Sequence, residues 1–149
     1  MNDYKGFQMG EQIVSNTVHN SSTNAILLRY FNPVGAHPSN EIGETPTGKP
    51  ANLVPVITQT AIGKLPAMMV HGTDYPTKDG SCVRDYIHVC DIAHAHTLAL
   101  NYLIDQKNTS NSEVFNLGTG NGITVLEVIE AFEKVTGVKL NYTTGPRRA

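Results

Sequence analysis

Three arginines are the cationic groups of this chain that best suit an anionic ligand. Arg84 stands among strand-forming residues in the segment VRDYIHV. A guanidinium in that setting pairs with a carboxylate or with a phosphate, which its planar fork contacts bidentately. An ion pair with Asp85 or Asp91 is the internal alternative for Arg84. Arg147 and Arg148 add two more guanidinium groups near the end of the sequence, where a solvated tail is the alternative.

A tyrosine and an asparagine lie where a buried strand is predicted to end. The apolar run AILLRYF, residues 25–31, has strand length and is followed by Asn32 and Pro33. Open α/β sheets bind ligands at the carboxyl ends of their parallel strands. Tyr30 and Asn32 would offer an aromatic face and an amide at such an edge. The alternative places Tyr30 in the core and Asn32 in a simple turn.

Three other patterns favour structural roles over chemical ones. In Gly118–Gly122 (GTGNG) the third glycine falls one residue early for a dinucleotide fingerprint, so we predict a tight strand-to-helix turn with positive φ. His94 and His96 are two residues apart on a predicted helix and face about 200° apart, which prevents them from sharing a metal ion. Cys82 and Cys90 match no metal-binding or disulfide pattern.

Composition excludes several classes of protein. The chain has 149 residues, of which 11 are Lys or Arg and 13 are Asp or Glu, so its formal charge is −2. This balance argues against a domain that coats nucleic acid. No apolar run reaches the ~18 residues of a membrane helix, and the first residues lack the apolar core of a secretory signal. We therefore expect a globular protein of the cytoplasm with no nucleic-acid, membrane or metal partner.

The elements around these residues predict an α/β fold. A helix at Gly10–Asn20 before the strand at 25–31 is half of a βαβ repeat. Thr124 and Glu127 form a capping box that starts a helix, and Gly137 ends it. Two further helices are predicted at 52–62, opened by Asn52, and at 91–104, with Asp91 as the N-cap. Further extended segments are predicted at 68–71, 83–89, 113–117 and 140–142.

Five segments, taken in order, closely resemble the UDP-glucose 4-epimerase family. They are RYFNPVGAH, NLVPVITQTAIGK, DYPTKDGSCVRDYIHVCDIAHAH, VFNLGTGNGITVLEVI and GPRR. The block with VRDYIHV is the most specific of them. The resemblance implies an extended short-chain dehydrogenase, in which an NAD(P)-binding Rossmann-like domain precedes a smaller α/β substrate domain. Full-length members of this family are typically homodimers.

The resemblance also implies how this chain divides. Residues 1–33 would be the end of the Rossmann-type domain, with an incomplete sheet, and residues 34–149 would be the nucleotide-sugar-binding region, truncated at its C-terminus. The glycine-rich NAD loop is not in the sequence. We therefore expect the C-terminal part of an epimerase that binds UDP-sugar, does not bind NAD alone and is inactive alone.

Members of the family interconvert UDP-glucose and UDP-galactose through a 4-keto intermediate with bound NAD. The resemblance matches Tyr30 to a cofactor contact. It matches eight other positions to the substrate. Asn32 is the contact in the FNP turn, and Asn52 and Leu53 are the pair that contacts the uridine portion. Met69, Val70 and His71 form the short strand against uracil, and Arg84 and Arg148 are the two arginines on the diphosphate.

The sequence departs from the family pattern at the catalytic pair. The tyrosine and lysine positions of the Tyr-x-x-x-Lys motif fall on Asp3 and Phe7. Tyr4 and Lys5 are adjacent and out of register, and convergence on one substrate needs a spacing of four on a helix. We therefore assign no catalytic residue. His71 stands where many relatives have phenylalanine.

Two alternatives stay open from the sequence. One is a stand-alone, non-catalytic nucleotide-sugar-binding module, and the other is a related nucleotide-sugar epimerase or dehydratase. The VRDYIHV block and the Asn52-Leu53 pair favour the UDP-hexose epimerase. The strand at 25–31 would normally pair inside a larger sheet, so we also expect exposed apolar edges and self-association.

Overall fold

The computed structural model describes the backbone of residues 3–148 and the side chains of residues 5–148. Helices and strands alternate along the chain, which confirms the predicted α/β class. The helices are α1 Asp3–His19, α2 Leu53–Ala61, α3 Val89–Ile104 and α4 Val125–Thr136. The strands are β1 Ala25–Tyr30, β2 Asn32–Val34, β3 Met68–His71, β4 Val83–Arg84, β5 Tyr86–His88, β6 Ser112–Leu117, β7 Ile123–Thr124 and β8 Tyr142–Gly145.

The strands of the described residues form pairs within two compact units. β1 pairs with β6, β2 with β5 and β3 with β8 in parallel, whereas β4 and β7 are antiparallel. One unit comprises the residues up to Phe31 together with Cys90–Leu117, and the other comprises Asn32–Val89 together with the residues from Gly118 onward. The sequence-based division into domains 1–33 and 34–149 stays a prediction. No helix among residues 3–148 is long and apolar enough to cross a membrane.

In the first unit, α1 is fixed to the β1–β6 pair by polar contacts. The Arg29 guanidinium donates from Nε to Glu11 Oε1 at 2.6 Å and from Nη2 to Glu11 Oε2 at 2.5 Å. The hydroxyls of Ser15 and Ser112 lie 3.2 Å apart. Val18 is buried near the end of the helix. These contacts hold the strand that carries Tyr30.

In the second unit, α2 and α4 enclose a small apolar core against β3. The unbroken apolar face of α2 and the i, i+3, i+4, i+7 pattern of α4 are typical of helices buried on one side. Leu53 packs at the edge of this core. The buried core residues are Ile57, Met68, Val70, Ile129 and Leu140.

The predicted ends of α4 are confirmed. Thr124 N donates to Glu127 Oε2 at 2.9 Å, and Thr124 Oγ1 accepts from Glu127 N at 3.2 Å, which is the reciprocal capping box. Gly137 closes the helix with φ of 72°, a left-handed conformation that glycine adopts without steric cost.

Other element boundaries differ from the prediction. α1 begins at Asp3 rather than Gly10, and α3 begins at Val89, so Asp91 lies in its first turn instead of capping it. A carboxylate in the first turn still favours the helix dipole. The extended segment at 83–89 is two short strands, and the last strand runs from Tyr142 to Gly145 rather than from 140 to 142. Leu140 is buried in the core, and the pairing with β3 begins two residues later.

Candidate functional site

The pairing of β2 with β5 places Asn32 beside the segment that carries Arg84. Asn32 N donates to the carbonyl oxygen of Asp85 at 3.0 Å. The turn after β2 then passes under an imidazole, since a Cβ on Gly35 would lie 2.4 Å from the ring of His88. Gly35 also has φ of 91°, so this close approach requires glycine. Asn32 is thus bonded to the residue that directly follows Arg84, and both were predicted to contact the substrate.

The carboxylate of Asp85 holds the glycine-rich turn after β6. It accepts from Thr119 N at 3.0 Å, from Thr119 Oγ1 at 2.8 Å and from Gly120 N at 2.9 Å. The backbone and hydroxyl bonds from Thr119, with that from Gly120, hold the pKa of Asp85 below its usual value. Gly120 has φ of 75°, as predicted for a tight turn. Its amides are occupied by a carboxylate, so this turn is not arranged as a phosphate-binding loop.

Arg84 stands at the end of β4 with its guanidinium exposed. Its Nη1 donates to the carbonyl oxygen of Val83 at 2.7 Å. Among residues 3–148 no carboxylate pairs with it, so the internal ion pairs with Asp85 and Asp91 do not form. A guanidinium has five N–H donors. Most of the donors of Arg84 are therefore available to an anion.

The parallel pairing of β3 and β8 brings the other predicted contacts to one edge. His71 pairs with Gly145, and the chain continues from there to Arg148. The carboxyl ends of both strands lie at the same edge of the pair. Met69 is 49% exposed, and its sulfur lies where a Cβ on Gly145 would be only 2.6 Å away. The predicted uracil contacts and the predicted second diphosphate arginine therefore share this edge.

Side chains alternate along β3, so its three predicted contacts are not equivalent. The side chain of Val70 is 1% exposed and belongs to the core. Val70 can contact a ligand only through its main chain. Met69 and His71, on the opposite face, keep accessible side chains.

Asn52 and Leu53 open α2 next to β3. Asn52 has extended φ and ψ of −82° and 148°, but its side chain does not cap the helix. Its Nδ2 instead donates to Glu44 Oε1 at 2.7 Å. Leu53 packs against the core. The amide of Asn52 is thus oriented by a carboxylate from the long loop after β2.

Tyr30 lies in the first unit, whereas the eight predicted substrate contacts all lie in the second. It is the last residue of β1, and its side chain is 50% exposed. The alternative that buries Tyr30 in the core is therefore wrong. Its role as a cofactor contact stays a prediction.

Sequence reasoning missed a buried polar network beside Arg84. The carboxylate of Asp79 accepts from the backbone N and the Oγ of Ser81, each at 2.8 Å, and from Thr124 Oγ1. Burial acts to raise the pKa of Asp79, but the hydrogen bonds from Thr124 and Ser81 outweigh it and lower that pKa overall. Leu126 N donates to Ser81 Oγ at 3.2 Å. The Asp-Gly-Ser order is a local signal for the Asp79–Ser81 bonds; nothing local indicates the contact with Thr124.

The positions of the family's catalytic pair show no assembled site in the described residues. Phe7, at the family's lysine position, is 75% exposed on α1. The side chains of Asp3 and Tyr4 lie outside the described residues. Among the residues described, no three His, Cys, Asp or Glu side chains are grouped as metal ligands would be.

Comparison with known proteins places this arrangement in a family. Residues 7–118 match the family described as the NAD dependent epimerase/dehydratase family. The chain belongs to that family. It is 50% identical over 150 residues to UDP-glucose 4-epimerase 1 of Oryza sativa subsp. japonica, covering 99% of this chain and 42% of that protein. It is 54% identical over 122 residues to UDP-glucose 4-epimerase of Bacillus subtilis strain 168, covering 82% of this chain and 35% of that protein.

Solved structures show the same relationship. A UDP-glucose 4-epimerase from Stenotrophomonas maltophila, with bound NAD and formylated UDP-arabinopyranose, matches 95% of this chain at 51% identity with a TM-score of 0.89. One from Bifidobacterium longum, in complex with NAD+ and UDP, matches 95% at 48% identity with a TM-score of 0.84. The chain covers 41% of each. The predicted resemblance and Rossmann-like fold class are confirmed, for a chain spanning about two fifths of its relatives' length.

Proposed function

We propose that this chain provides the UDP-sugar-binding part of a UDP-glucose 4-epimerase, an isomerase that interconverts UDP-glucose and UDP-galactose. The observation that carries the proposal is the exposed guanidinium of Arg84, which has no carboxylate partner among residues 3–148. The next residue, Asp85, is held by its bonds to the turn at Thr119 and by the backbone bond from Asn32. Relatives in complex with UDP or a UDP-sugar support the ligand class.

The proposed contacts divide the nucleotide sugar into three parts. Arg84 and Arg148 bind the diphosphate, since guanidinium forks match phosphate oxygens. Met69 and His71 lie against uracil, and the main chain of Val70 borders it. Asn52 and Leu53 contact the uridine portion, and Asn32 contacts the sugar side. Because a 4-keto sugar must turn over between hydride steps, binding energy placed on the nucleotide leaves the sugar free to rotate.

NAD would supply the acceptor for the C4 hydride and its return. Tyr30 is the one residue that we propose as a contact to it. The glycine-rich turn does not fit the pyrophosphate, because the carboxylate of Asp85 already occupies the amides of Thr119 and Gly120. No tyrosine in the sequence is followed four residues later by lysine, so no residue is proposed as the catalytic base. We propose no NAD site formed by this chain alone.

Location in the cytoplasm and homodimeric assembly with the rest of an epimerase are further parts of the proposal. They follow from the family and not from the geometry of the site. Microscopy of a tagged chain would test the first, and light scattering of an assembled enzyme the second.

Titration calorimetry with UDP tests the proposed binding. We expect the wild-type chain to bind UDP and Arg84→Ala to weaken the affinity about tenfold to a hundredfold, the range for losing a hydrogen bond to a charged group. Lys134→Ala removes an exposed cation on α4 and is the matched control, with unchanged affinity. No binding to the wild type, or equal binding to Arg84→Ala, would overturn the proposal.

A turnover assay tests whether catalysis needs more than this chain. Pure chain supplied with NAD and UDP-galactose, with coupled detection of UDP-glucose, is expected to show no turnover. Measurable UDP-glucose formation would refute the statement that this chain lacks the catalytic base.

The missing Tyr-x-x-x-Lys pair also fits a second candidate, a non-catalytic nucleotide-sugar-binding module. Both candidates predict UDP binding. The nucleotide sequence upstream of the Met1 codon separates them, because an in-frame Gly-x-x-Gly-x-x-Gly segment there indicates an epimerase and a stop codon with a promoter indicates the module.

A further inference from the structure

The two adjacent arginines after β8 have different surroundings. Arg147 Nε donates to Asp74 Oδ1 at 2.9 Å, and its Nη2 donates to the carbonyl oxygen of Asp74 at 2.6 Å. Its guanidinium carbon also lies 4.1 Å from the centroid of the Tyr75 ring. Among residues 3–148, Arg148 has no such partner and its side chain is exposed. Arg147 is therefore bound to the protein through two of its donors and its ring contact, whereas Arg148 is available.

The contacts of Arg147 fix the residues that follow β8 against the loop that follows β3. Gly72 N donates to the carbonyl oxygen of Gly145 at 2.9 Å, directly before this loop. Gly72 has φ of 80°, and a Cβ there would lie 2.4 Å from Tyr75 and 2.9 Å from Arg147 Cγ. The loop after β3 and the residues that follow β8 are thus packed so closely that there is no space for a side chain at position 72.

The same loop leads to the strand that carries Arg84. Tyr75 N donates to the carbonyl oxygen of Gly80 at 3.0 Å, which closes the loop. A hydrogen bond with the side chain of Cys82 raises the pKa of Tyr75. Tyr75 therefore links Arg147, which follows β8, to the residues just before Arg84.

We propose that Arg147 is a positioning residue, which with Asp74 and Tyr75 anchors the end of β8 so that Arg148, and not Arg147, joins Arg84 on the ligand's diphosphate. This inference rests on the proposed UDP binding. The two adjacent arginines then have different roles: Arg147 bonds to the protein, and Arg148 bonds to the phosphate.

Asp74→Asn separates positioning from direct binding. If Arg147 touched phosphate, replacing its carboxylate partner with a neutral amide would loosen its hold on the protein, and removing a negative charge would strengthen attraction for the diphosphate. UDP would then bind as tightly as before or more tightly. If Arg147 is an anchor, Asp74→Asn weakens UDP binding about threefold to tenfold. The loss is of this size because a misplaced Arg148 keeps only part of the energy of its charged hydrogen bonds to the phosphate.

The decisive set compares the affinities for UDP and for uridine by calorimetry in six chains. Arg147→Ala and Asp74→Asn are expected to weaken UDP by similar factors, and their double variant by no more than either single, because contacting residues couple. Uridine affinity stays unchanged, whereas general damage to the fold would lower both affinities. Arg147→Lys, which keeps the charge, restores part of the UDP affinity. Asp105→Asn, which removes an exposed acidic partner of Lys107 in the first unit, is the control.

The possible failures are distinct. If the wild-type chain binds no UDP, the proposed function fails. If the wild type binds UDP and Arg84→Ala weakens it, but Asp74→Asn binds UDP unchanged or more tightly, the anchoring role of Arg147 is overturned. Equal losses of UDP and uridine affinity in Arg147→Ala and Asp74→Asn would overturn it as well.

Discussion

Asp85 shows how one carboxylate can hold a turn in place and leave a neighbouring arginine without an acidic partner in the described part of the chain. It follows Arg84 in sequence but bonds to Thr119 and Gly120 instead. A carboxylate that already accepts bonds from three donors competes poorly for a neighbouring guanidinium. Arg84 is therefore left for an anion, and the turn that could have bound phosphate is closed. The bonds of Asp85 to Thr119 and Gly120 thus explain both why Arg84 has no carboxylate partner among residues 3–148 and why the amides of the turn are occupied.

His71 allows a prediction at the scale of one side chain. Its partly exposed imidazole follows Met69 and Val70 on β3, where we propose that uracil packs. A phenyl ring would stack on a base with no polar edge to desolvate. His71→Phe is therefore expected to tighten UDP binding about threefold, within the ~0.5–1.5 kcal/mol attributed to aromatic pairs. Calorimetry against His37→Phe, in the long loop after β2, measures it, and weaker binding would contradict the proposed contact.

Single residues were predictable from the sequence where their chemistry is local. Arg84 stands out because a cation is unusual among strand-forming residues, and Asn32 because it ends an apolar run. The role of Arg147 was not predictable. Its partner Asp74 is 73 positions away, and no local pattern indicates which of two adjacent arginines bonds to the protein.

At the scale of elements, α4 joins the loop before Arg84 to the core. Thr124 is both the N-cap of α4 and a donor to Asp79. Ser81 in turn receives the amide of Leu126. The first turn of α4 thus fixes the chain just before β4. Damage to this helix end is expected to reach the arginine site.

Thr124→Ala is expected to lower the free energy of unfolding by about 1–2 kcal/mol, the usual cost of losing an N-cap. The variant also removes the hydroxyl that donates to Asp79. Thr124→Ser keeps both bonds and is the control, with a loss below that of alanine. Urea denaturation followed by circular dichroism gives the values. Equal stability of the alanine variant and wild type would show that the cap contributes nothing.

The substitution Gly80→Ala tests the close packing of the loop between β3 and β4. It has φ of 79°, and a Cβ there would lie 2.1 Å from the carbonyl oxygen of Thr73. Gly80→Ala is therefore expected to destabilise the chain by at least the ~1–3 kcal/mol of a strained residue. Gly48→Ala is the matched control, since nothing lies within 4 Å of its Cβ position. Melting temperatures compare the two, and equal values would disprove the close contact.

Element prediction succeeded where a terminus has its own sequence signal. α4 has a capping box and a closing glycine, and both were read correctly. α3 has no comparable signal, because β5 runs directly into it and Asp91 looks like a cap. The last strand was misplaced because its limits depend on pairing with Met68–His71, about seventy residues earlier in the chain. Pairing over such separations leaves no trace in local periodicity.

At the scale of the whole molecule, five carboxylates accept hydrogen bonds from segments that are distant in sequence. Asp74, Asp79, Asp85, Glu11 and Glu127 each accept bonds from another element or loop. Hydrogen bonds to charged or polar donors hold the pKa of each below its usual value. The partners in those other elements or loops were not predictable, since each lies at least 18 positions away.

These lowered pKa values predict loss of stability in acid. A carboxyl whose pKa is lower in the folded chain stabilises it above the unfolded pKa, and this contribution is lost as pH falls through the folded value. Stability is therefore expected to be level down to about pH 5 and to fall steadily below about pH 4. Urea titrations between pH 7 and pH 3 measure this. Asp79→Asn is expected to be less stable at pH 7 and to have a shallower acid slope; an unchanged slope would exclude Asp79 as a contributor.

The first unit leaves apolar side chains in contact with solvent. Phe7, Met9 and Ile13 are exposed on α1. Met9 and Ile13 are four residues apart and share one helix face. Exposed apolar surface favours association, so the chain is expected to form concentration-dependent oligomers. Phe7→Lys combined with Ile13→Lys should shift light-scattering masses toward the monomer. Val135→Lys, which replaces an exposed apolar residue on α4, should not. A wild-type chain that stays monomeric and melts cooperatively at high concentration would show that this surface does not drive association.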